Sequence, residues 1–368
     1  LILRNRTALE SLPKGLRVGG YLGLEGCTAL KSLPEGLGVV GWLDLRGCTA
    51  LESLPKGLRV GGGLYLRGCA ALRALPEGLR VGGWLDLEGC TALESLPEGL
   101  GVGGYLGLEG CTALKSLPEG LSVGRWLGLR GCTALKSLPE GLRVGGALDL
   151  EGCTALKSLP EGLGVVGWLD LSGCTALKSL PEGLGGGRWL GLRGCTALES
   201  LPEGLGGGRW LDLSGCPALF SGVEATALYV SSGDVLDPRF ADARIRAKEW
   251  FVDDVRVPES LVRKAISGDE FRMLSAEQRR VAVSILGAKW LVDNCNPRIV
   301  DMDDHPLNGL RALLRASTWA SVYCILACGD PSTGRVYYME VPPETKTCQE
   351  ADAYLNHGLD QKRQVGRT

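Results

Sequence analysis

The chain has 368 residues, enough for two domains, and its 45% hydrophobic and 22% charged content is that of an ordinary soluble protein. Forty Lys and Arg stand against 42 Asp and Glu, a net charge of −2, and residues 1–216 balance at 21 against 21; neither half has the basic excess of a nucleic-acid binder. No apolar run approaches the ~18 residues of a transmembrane helix, so no membrane span is expected.

Leu1 falls inside a repeat, so the natural N-terminus, with any signal peptide or cap, is expected to lie outside this sequence. The word LPxGL then begins at Leu12 and returns every 21 residues as far as Leu201. One full unit, residues 80–100, reads RVGGWLDLEGCTALESLPEGL. A strand alternates its faces with period two, which puts Leu85 and Leu87 on one face and Trp84, Asp86 and Glu88 on the other. One unit cannot bury its leucines alone, but stacked units can. Pro97 cannot feed an N–H to a ladder, so the chain is expected to turn back after it as an irregular convex side of extended or 3₁₀ backbone, with Gly82, Gly83 and Gly89 at tight corners.

Ten cysteines keep the same 21-residue step, from Cys27 to Cys216, out of 14 in the chain. They form no CxxC pair and lack the dense spacing of a secreted disulfide domain. The expectation is a reduced thiol filling each strand-exit corner and reaching a neighbouring carbonyl, rather than a redox or metal ladder. This implies a cytoplasmic protein, or a secreted effector if a missing N-terminus carries a signal.

The pattern Leu85-x-Leu87-x-x-Cys90-x-x-Leu93, then Leu96-Pro97, resembles the leucine-rich repeat, with Cys where many families carry Asn. The resemblance covers residues 1–220, and the LP ending is similar to the short bacterial type. It implies an α/β-type solenoid with the LxL strands in a parallel sheet on the concave face and the leucines pointing inward.

The position before the first leucine reads Tyr21, Trp42, Gly63, Trp84, Tyr105, Trp126, Ala147, Trp168, Trp189, Trp210. The position between the leucines includes Asp44, Tyr65, Asp86, Asp149, Asp170 and Asp212. Alternation sends both columns to solvent. Ten strands at ~4.8 Å make a stripe of roughly 45 Å, and exposed aromatic area of that extent marks an interaction surface. The next column, from Glu25 and Arg46 to Arg193 and Ser214, edges the stripe with mixed charge, as a polar rim edges an interface. The competing reading is sheet self-stabilisation by cross-strand pairs, at ~0.2–1 kcal/mol each.

The repeats end at WLDLSGCPALFSG, and residues 221–257 are expected to be a linker or capping segment, irregular over 230–240. Residues 258–368 read as a small α+β domain. Pro258 opens a helix to about Ile266, and Ser275 caps a longer helix over SAEQRRVAVSILGAKWLVDN. A short strand follows at 298–302, then a hairpin with arms ASVYCILAC and RVYYMEV, then a helix over PETKTCQEADAYLNHG. The stretches SAEQRRVAVSILGAKWLV, IVDMDDH and STGRVYYMEVPPETKTCQEADAYLNHGL resemble an uncharacterised bacterial domain, which brings no activity with it. Repeats ahead of a cysteine-bearing domain are also similar to secreted bacterial ubiquitin ligases. Those need Cys-x-Asp, and Cys295 sits in DNCNPR with Pro at the Asp position.

Other chemistry is thin. Cys348 and His357 are nine residues apart on one expected helix and face opposite ways. Cys324 and Cys328 read as core, and DMDDH at 301–305 as a solvated acidic loop. No Walker loop, nucleophile elbow or HExxH occurs. The reading is a reversible binding module with no cofactor, metal or catalytic residue of its own. Its expected partner-binding residues are Tyr21, Trp42, Tyr65, Trp84, Tyr105, Trp126, Trp168, Trp189 and Trp210, with Asp44, Asp86, Asp170 and Asp212. A protein partner is expected; the alternatives are a carbohydrate, a cysteine-dependent transferase in the C-terminal domain with Cys295 as nucleophile, and a purely structural array.

Overall fold

The computed structural model describes residues 1–202, 205, 210–216, 223–236, 240, 245–295, 298–305, 309–318, 321–329 and 336–341. Residues 1–234 with 238–248 form one compact unit, and 235–237 with 249–368 a second.

The first unit is a parallel β-solenoid of about ten turns, one 21-residue repeat per turn. Its first ladder is built from the LxL legs: Leu22–Gly23, Leu43–Asp44, Leu64–Tyr65, Leu85–Asp86, Tyr105–Gly107, Trp126–Gly128, Ala147–Asp149, Trp168–Asp170, Trp189–Gly191 and Trp210–Asp212, paired in chain order. Register follows the repeat: Tyr105 lies opposite Trp126, and Trp126 opposite Ala147.

Of the two backbones expected for the return leg, extended and 3₁₀, the extended one is found, and it pairs, which the sequence reading did not foresee. Among the described residues it is a second parallel ladder of nine short strands, from Arg17–Val18 to Gly185–Gly186, with no 3₁₀ turn. Isolated parallel bridges, such as Ser32 with Ser53 and Ser137 with Ser158, add a third line of contact before the prolines. The cause is local. After Pro97 the chain turns, with the Leu100 N–H donating to the Pro97 carbonyl at 3.4 Å around Gly99 at φ +68°. Val102 then enters the core while Gly101 stays outside. Identical copies stand one strand spacing away in the same register, so these legs satisfy each other's backbone groups.

The interior is as the leucine pattern demands. In the turn from 80 to 100, Val81, Leu85, Leu87, Cys90, Leu93, Leu96 and Leu100 are all buried. Each such side chain contributes roughly 1.5–3 kcal/mol when fully removed from water. At the entry corner the turns approach so closely that a Cβ on Gly82 would overlap the Gly61 carbonyl oxygen.

Within 221–257, the segment expected as linker or cap, the described residues are largely regular, including 232–236 inside the stretch expected to be irregular. Val223–Val230 adds an eleventh strand to the first ladder, parallel to Trp210–Asp212, with Leu228 opposite Leu211 and Tyr229 opposite Asp212. ALYV replays WLDL, with buried Leu228 and Val230 in the places of the two leucines and Ala227, also buried, in the place of the tryptophan. Ser232–Leu236 is a helix, and Ile245–Val252 and Val255–Val257 form an antiparallel hairpin.

In the second unit Pro258 is the N-cap of a short helix, Glu259–Val262, rather than the first residue of a longer one; the chain leaves it through Lys264 at φ +55°. Gly268–Met273 starts with a capping box from Ser267 and Glu270. Ser275 caps the following helix, its hydroxyl accepting from the Gln278 N–H while Gln278 Oε1 accepts from the Ser275 N–H. That helix, Ala276–Cys295, is interrupted at Gly287 (φ 78°, ψ 164°) instead of running straight. Four antiparallel strands follow in chain order: Arg298–His305, Gly309–Thr318, Ser321–Gly329 and Val336–Val341. DMDDH therefore belongs to a strand, not a loop, and Gly309–Thr318 is a strand the sequence reading lacked. The helix expected over PETKTCQEADAYLNHG, with Cys348 and His357, lies outside the described residues. None of the described helices is long and apolar enough to cross a membrane.

Candidate functional site

The solvent side of the first ladder carries every residue named from the sequence as partner-binding, and it sorts them into two kinds. Where the residue between the leucines is glycine, the aromatic ring lies over it: Tyr21 on Gly23, Tyr105 on Gly107, Trp126 on Gly128, Trp189 on Gly191. Tyr65 lies over Gly63 from the opposite direction. A Cβ on any of these glycines would come within 3.3 Å of the ring. All five rings are half-buried. The ring covers backbone that glycine leaves bare, which strengthens a strand where glycine weakens it.

Where the middle residue is aspartate, its Cβ fills that space and the ring stands away from the sheet. Trp42, Trp84, Trp168 and Trp210 are 53%, 56%, 37% and 45% exposed. Trp42 and Trp84 lean over Gly62 and Gly104, corner glycines of the next turn. These four are the large apolar groups this face offers to solvent. They sit two strands apart within each pair and four strands apart between Trp84 and Trp168, or ~10 Å and ~19 Å at the usual strand spacing.

The rings touch in short runs. Trp42 and Tyr65 meet edge to face at 6.1 Å, Tyr105 and Trp126 stack at 4.1 Å, and Trp168 and Trp189 meet at 6.0 Å. Ala147 interrupts the column and is buried. Tyr229, 6.4 Å from Trp210, extends the column by one strand. The sequence reading missed it because the spacing changes from 21 to 17 residues; the signal was the ALYV word.

The aspartates do structural work before any binding. Oδ1 of Asp86, Asp149, Asp170 and Asp212 accepts the N–H two residues on, from Glu88, Glu151, Ser172 and Ser214, at 2.9–3.0 Å. This turn ends the strand and satisfies an N–H that the ladder leaves over. Asp44 is more enclosed, at 2% exposure. It accepts from Arg46 Nε at 2.9 Å, Arg46 Nη2 at 2.7 Å and the Tyr21 hydroxyl at 2.7 Å. Burial opposes ionisation of Asp44, but those donors hold its carboxyl below the usual range. Arg4, Tyr21, Trp42, Asp44, Arg46, Tyr65, Arg67 and Asp86 line a cleft of about 390 Å³.

Further along, carboxylate oxygens of Asp149, Glu151 and Asp170 lie within 4.8 Å of one another. Burial and then the charge of Asp170 push the Asp149 carboxyl up. Glu109 is raised by burial and by Glu88, Asp86 and Asp149. Asp149, Glu151 and Asp170 are the group among the described residues that could hold a cation.

The cysteine column is interior and inert. All ten repeat cysteines are buried, and none forms a disulfide. From Cys27 to Cys195 each thiol donates to the carbonyl of the second leucine one turn back, at 3.1–3.3 Å, as from Cys48 to Leu24. Burial pushes the Cys90 and Cys153 thiols up to about 12, so thiolate chemistry is suppressed. Cys295 ends the Ala276–Cys295 helix, and Cys324 and Cys328 lie on Ser321–Gly329.

Comparison with known protein families, with curated proteins and with solved structures finds no match to this chain.

Proposed function

We propose that the first unit is a leucine-rich-repeat-type binding module that holds a protein segment reversibly on the solvent side of its first ladder. The observation that carries this reading is the set of four exposed tryptophans, Trp42, Trp84, Trp168 and Trp210, on one face of a continuous sheet. A parallel ladder of this length fixes their spacing, so little is lost on binding to order the scaffold. Large aromatic rings with carboxylates beside them are the side chains from which interface hot spots are built.

The half-buried rings favour a second role for part of the same column. Tyr21, Tyr65, Tyr105, Trp126 and Trp189 cover glycine and stabilise the sheet, so the binding residues are a subset of the aromatic stripe.

The test is a quantitative pull-down from host lysate with the full chain and with a Trp84→Ser, Trp168→Ser, Trp210→Ser variant that keeps its circular-dichroism spectrum. Partners lost only from the variant support the reading. Identical partner lists sink it and move the function off this face.

A further inference from the structure

Resting on that reading, we propose that the central stretch of this face, from Asp86 to Asp170, takes an extended cationic peptide, an arginine- or lysine-bearing segment of a partner protein. The repeats are neutral as a whole, but their charge is segregated. The outward column of the second ladder holds Arg17, Arg59, Arg80 and Arg143 and no acid. In the outward columns of the first ladder the central stretch holds six carboxylates, Asp86, Glu88, Glu109, Asp149, Glu151 and Asp170, against the single guanidinium of Arg130, with Arg125 exposed at the corner before Trp126.

Only part of that negative charge is answered from within the protein. Arg67 pairs with Glu88 at 2.7 Å and Arg130 with Glu151 at 2.8 Å. Among the described residues, Asp86, Glu109, Asp149 and Asp170 have no ion pair, and each of the three aspartates keeps one carboxylate oxygen free of its strand turn. Tyr105, stacked on Trp126 amid these groups, registers the field. Burial first, and then Glu109, Asp86, Glu88 and Asp149, push its hydroxyl up to about 12.

The N-terminal end of the same face shows what fits. There the guanidinium of Arg46 lies 6.0 Å from the Tyr65 ring centroid while pairing with Asp44 at 2.7 Å, and Arg4 lies 5.7 Å from the Tyr21 ring. Ring and carboxylate together hold an arginine. The central stretch repeats the rings and the carboxylates with too few arginines to match them, Arg130 being committed to Glu151, so the partner supplies the rest. The stretch spans four strand spacings, ~19 Å, which an extended segment of about six residues covers.

The experiment measures fluorescence anisotropy of a dye-labelled hexa-arginine peptide, with hexa-glutamate as control, on the full chain across a salt series. Asp149→Asn with Asp170→Asn removes two charges and keeps an oxygen for each strand turn. The expected result is hexa-arginine binding that weakens with salt and falls roughly tenfold or more in the double variant and in Trp168→Ser. Glu119→Gln with Glu140→Gln, changing exposed acids after the prolines, should leave it unchanged. Equal losses in both double variants would mean diffuse attraction and overturn the proposal. So would absence of hexa-arginine binding, or a site for calcium alone that disappears with Asp149→Asn and Asp170→Asn. If the lysate partners still depend on Trp84, Trp168 and Trp210 when hexa-arginine fails to bind, only the partner's chemistry is wrong. If neither result appears, the binding reading falls with it.

Discussion

Two columns run the length of the solenoid with the same 21-residue step, one inside and one outside, and they behave differently. The inner column is uniform: every repeat places a buried cysteine at the same corner, with the thiol of each from Cys27 to Cys195 directed at the same carbonyl one turn back. The outer column is divided. Its rings lie down over glycine or stand up beside aspartate, depending on one neighbouring residue. Uniformity is the mark of a packing problem that has one solution. Division shows that strand stability and surface exposure are handled by different copies of one position.

The comparison breaks most sharply from within. Leu127 is fully buried in the middle of the array. Leu127→Ala should cost about 3 kcal/mol, and because each turn rests only on its neighbours, the loss should divide the array. Chemical denaturation should then show a lower midpoint and reduced cooperativity, with hydrogen-exchange protection lost first around residues 106–150. Retained single-transition unfolding would show that the turns are coupled over longer range than nearest neighbours.

The next effect distinguishes the two kinds of ring. Trp126 covers Gly128, so Trp126→Ser should cost about 1–2 kcal/mol, as loss of a half-buried aromatic does. Trp84 stands beside Asp86, so Trp84→Ser should change stability by no more than about 0.5 kcal/mol. Melting temperatures of the two variants measure the difference directly. Equal shifts would remove the distinction and return the whole column to a single role.

Much of this division was written in the sequence as a pairing between two columns. Aromatic with glycine recurs at Tyr21–Gly23, Tyr105–Gly107, Trp126–Gly128 and Trp189–Gly191; tryptophan with aspartate recurs at 42–44, 84–86, 168–170 and 210–212. Strand alternation alone places all of them on the solvent side, and only the packing in three dimensions decides which rings lie flat. The turns themselves, the inward leucines and the thiol-to-carbonyl contact follow from period and residue size. The second ladder was hidden because two-residue strands such as Arg59–Val60 carry no periodicity of their own; they pair only because identical neighbours arrive in register. Val223–Val230 was hidden for the opposite reason, since its word survives while its spacing does not. In the second unit, the kink at Gly287 and the early end at Lys264 depend on single backbone angles that propensity does not specify.

The smallest expected effect concerns pH and separates the N-terminal end of the outer face from its centre. Glu109 and Asp149 have folded-state carboxyls raised above their ordinary values, by burial first and then by neighbouring carboxylates. Their ionised forms are disfavoured in the folded state, so they destabilise it at neutral pH. That penalty is relieved as pH falls through the raised values and is gone below the ordinary ones. Asp44 has the opposite sign. Its lowered carboxyl stabilises the fold above the ordinary aspartate value, and this is lost as pH falls through the lowered one. Melting temperature should therefore rise slightly as pH falls from neutral toward the ordinary carboxylate range and drop only in stronger acid. Glu109→Gln should flatten the rise, and Asp44→Asn should weaken the acid drop. A rise that persists in Glu109→Gln would place the strained carboxylate elsewhere on the face. The same relief marks what a cationic partner would do at neutral pH, since it would neutralise by contact the repulsion that acid removes by protonation.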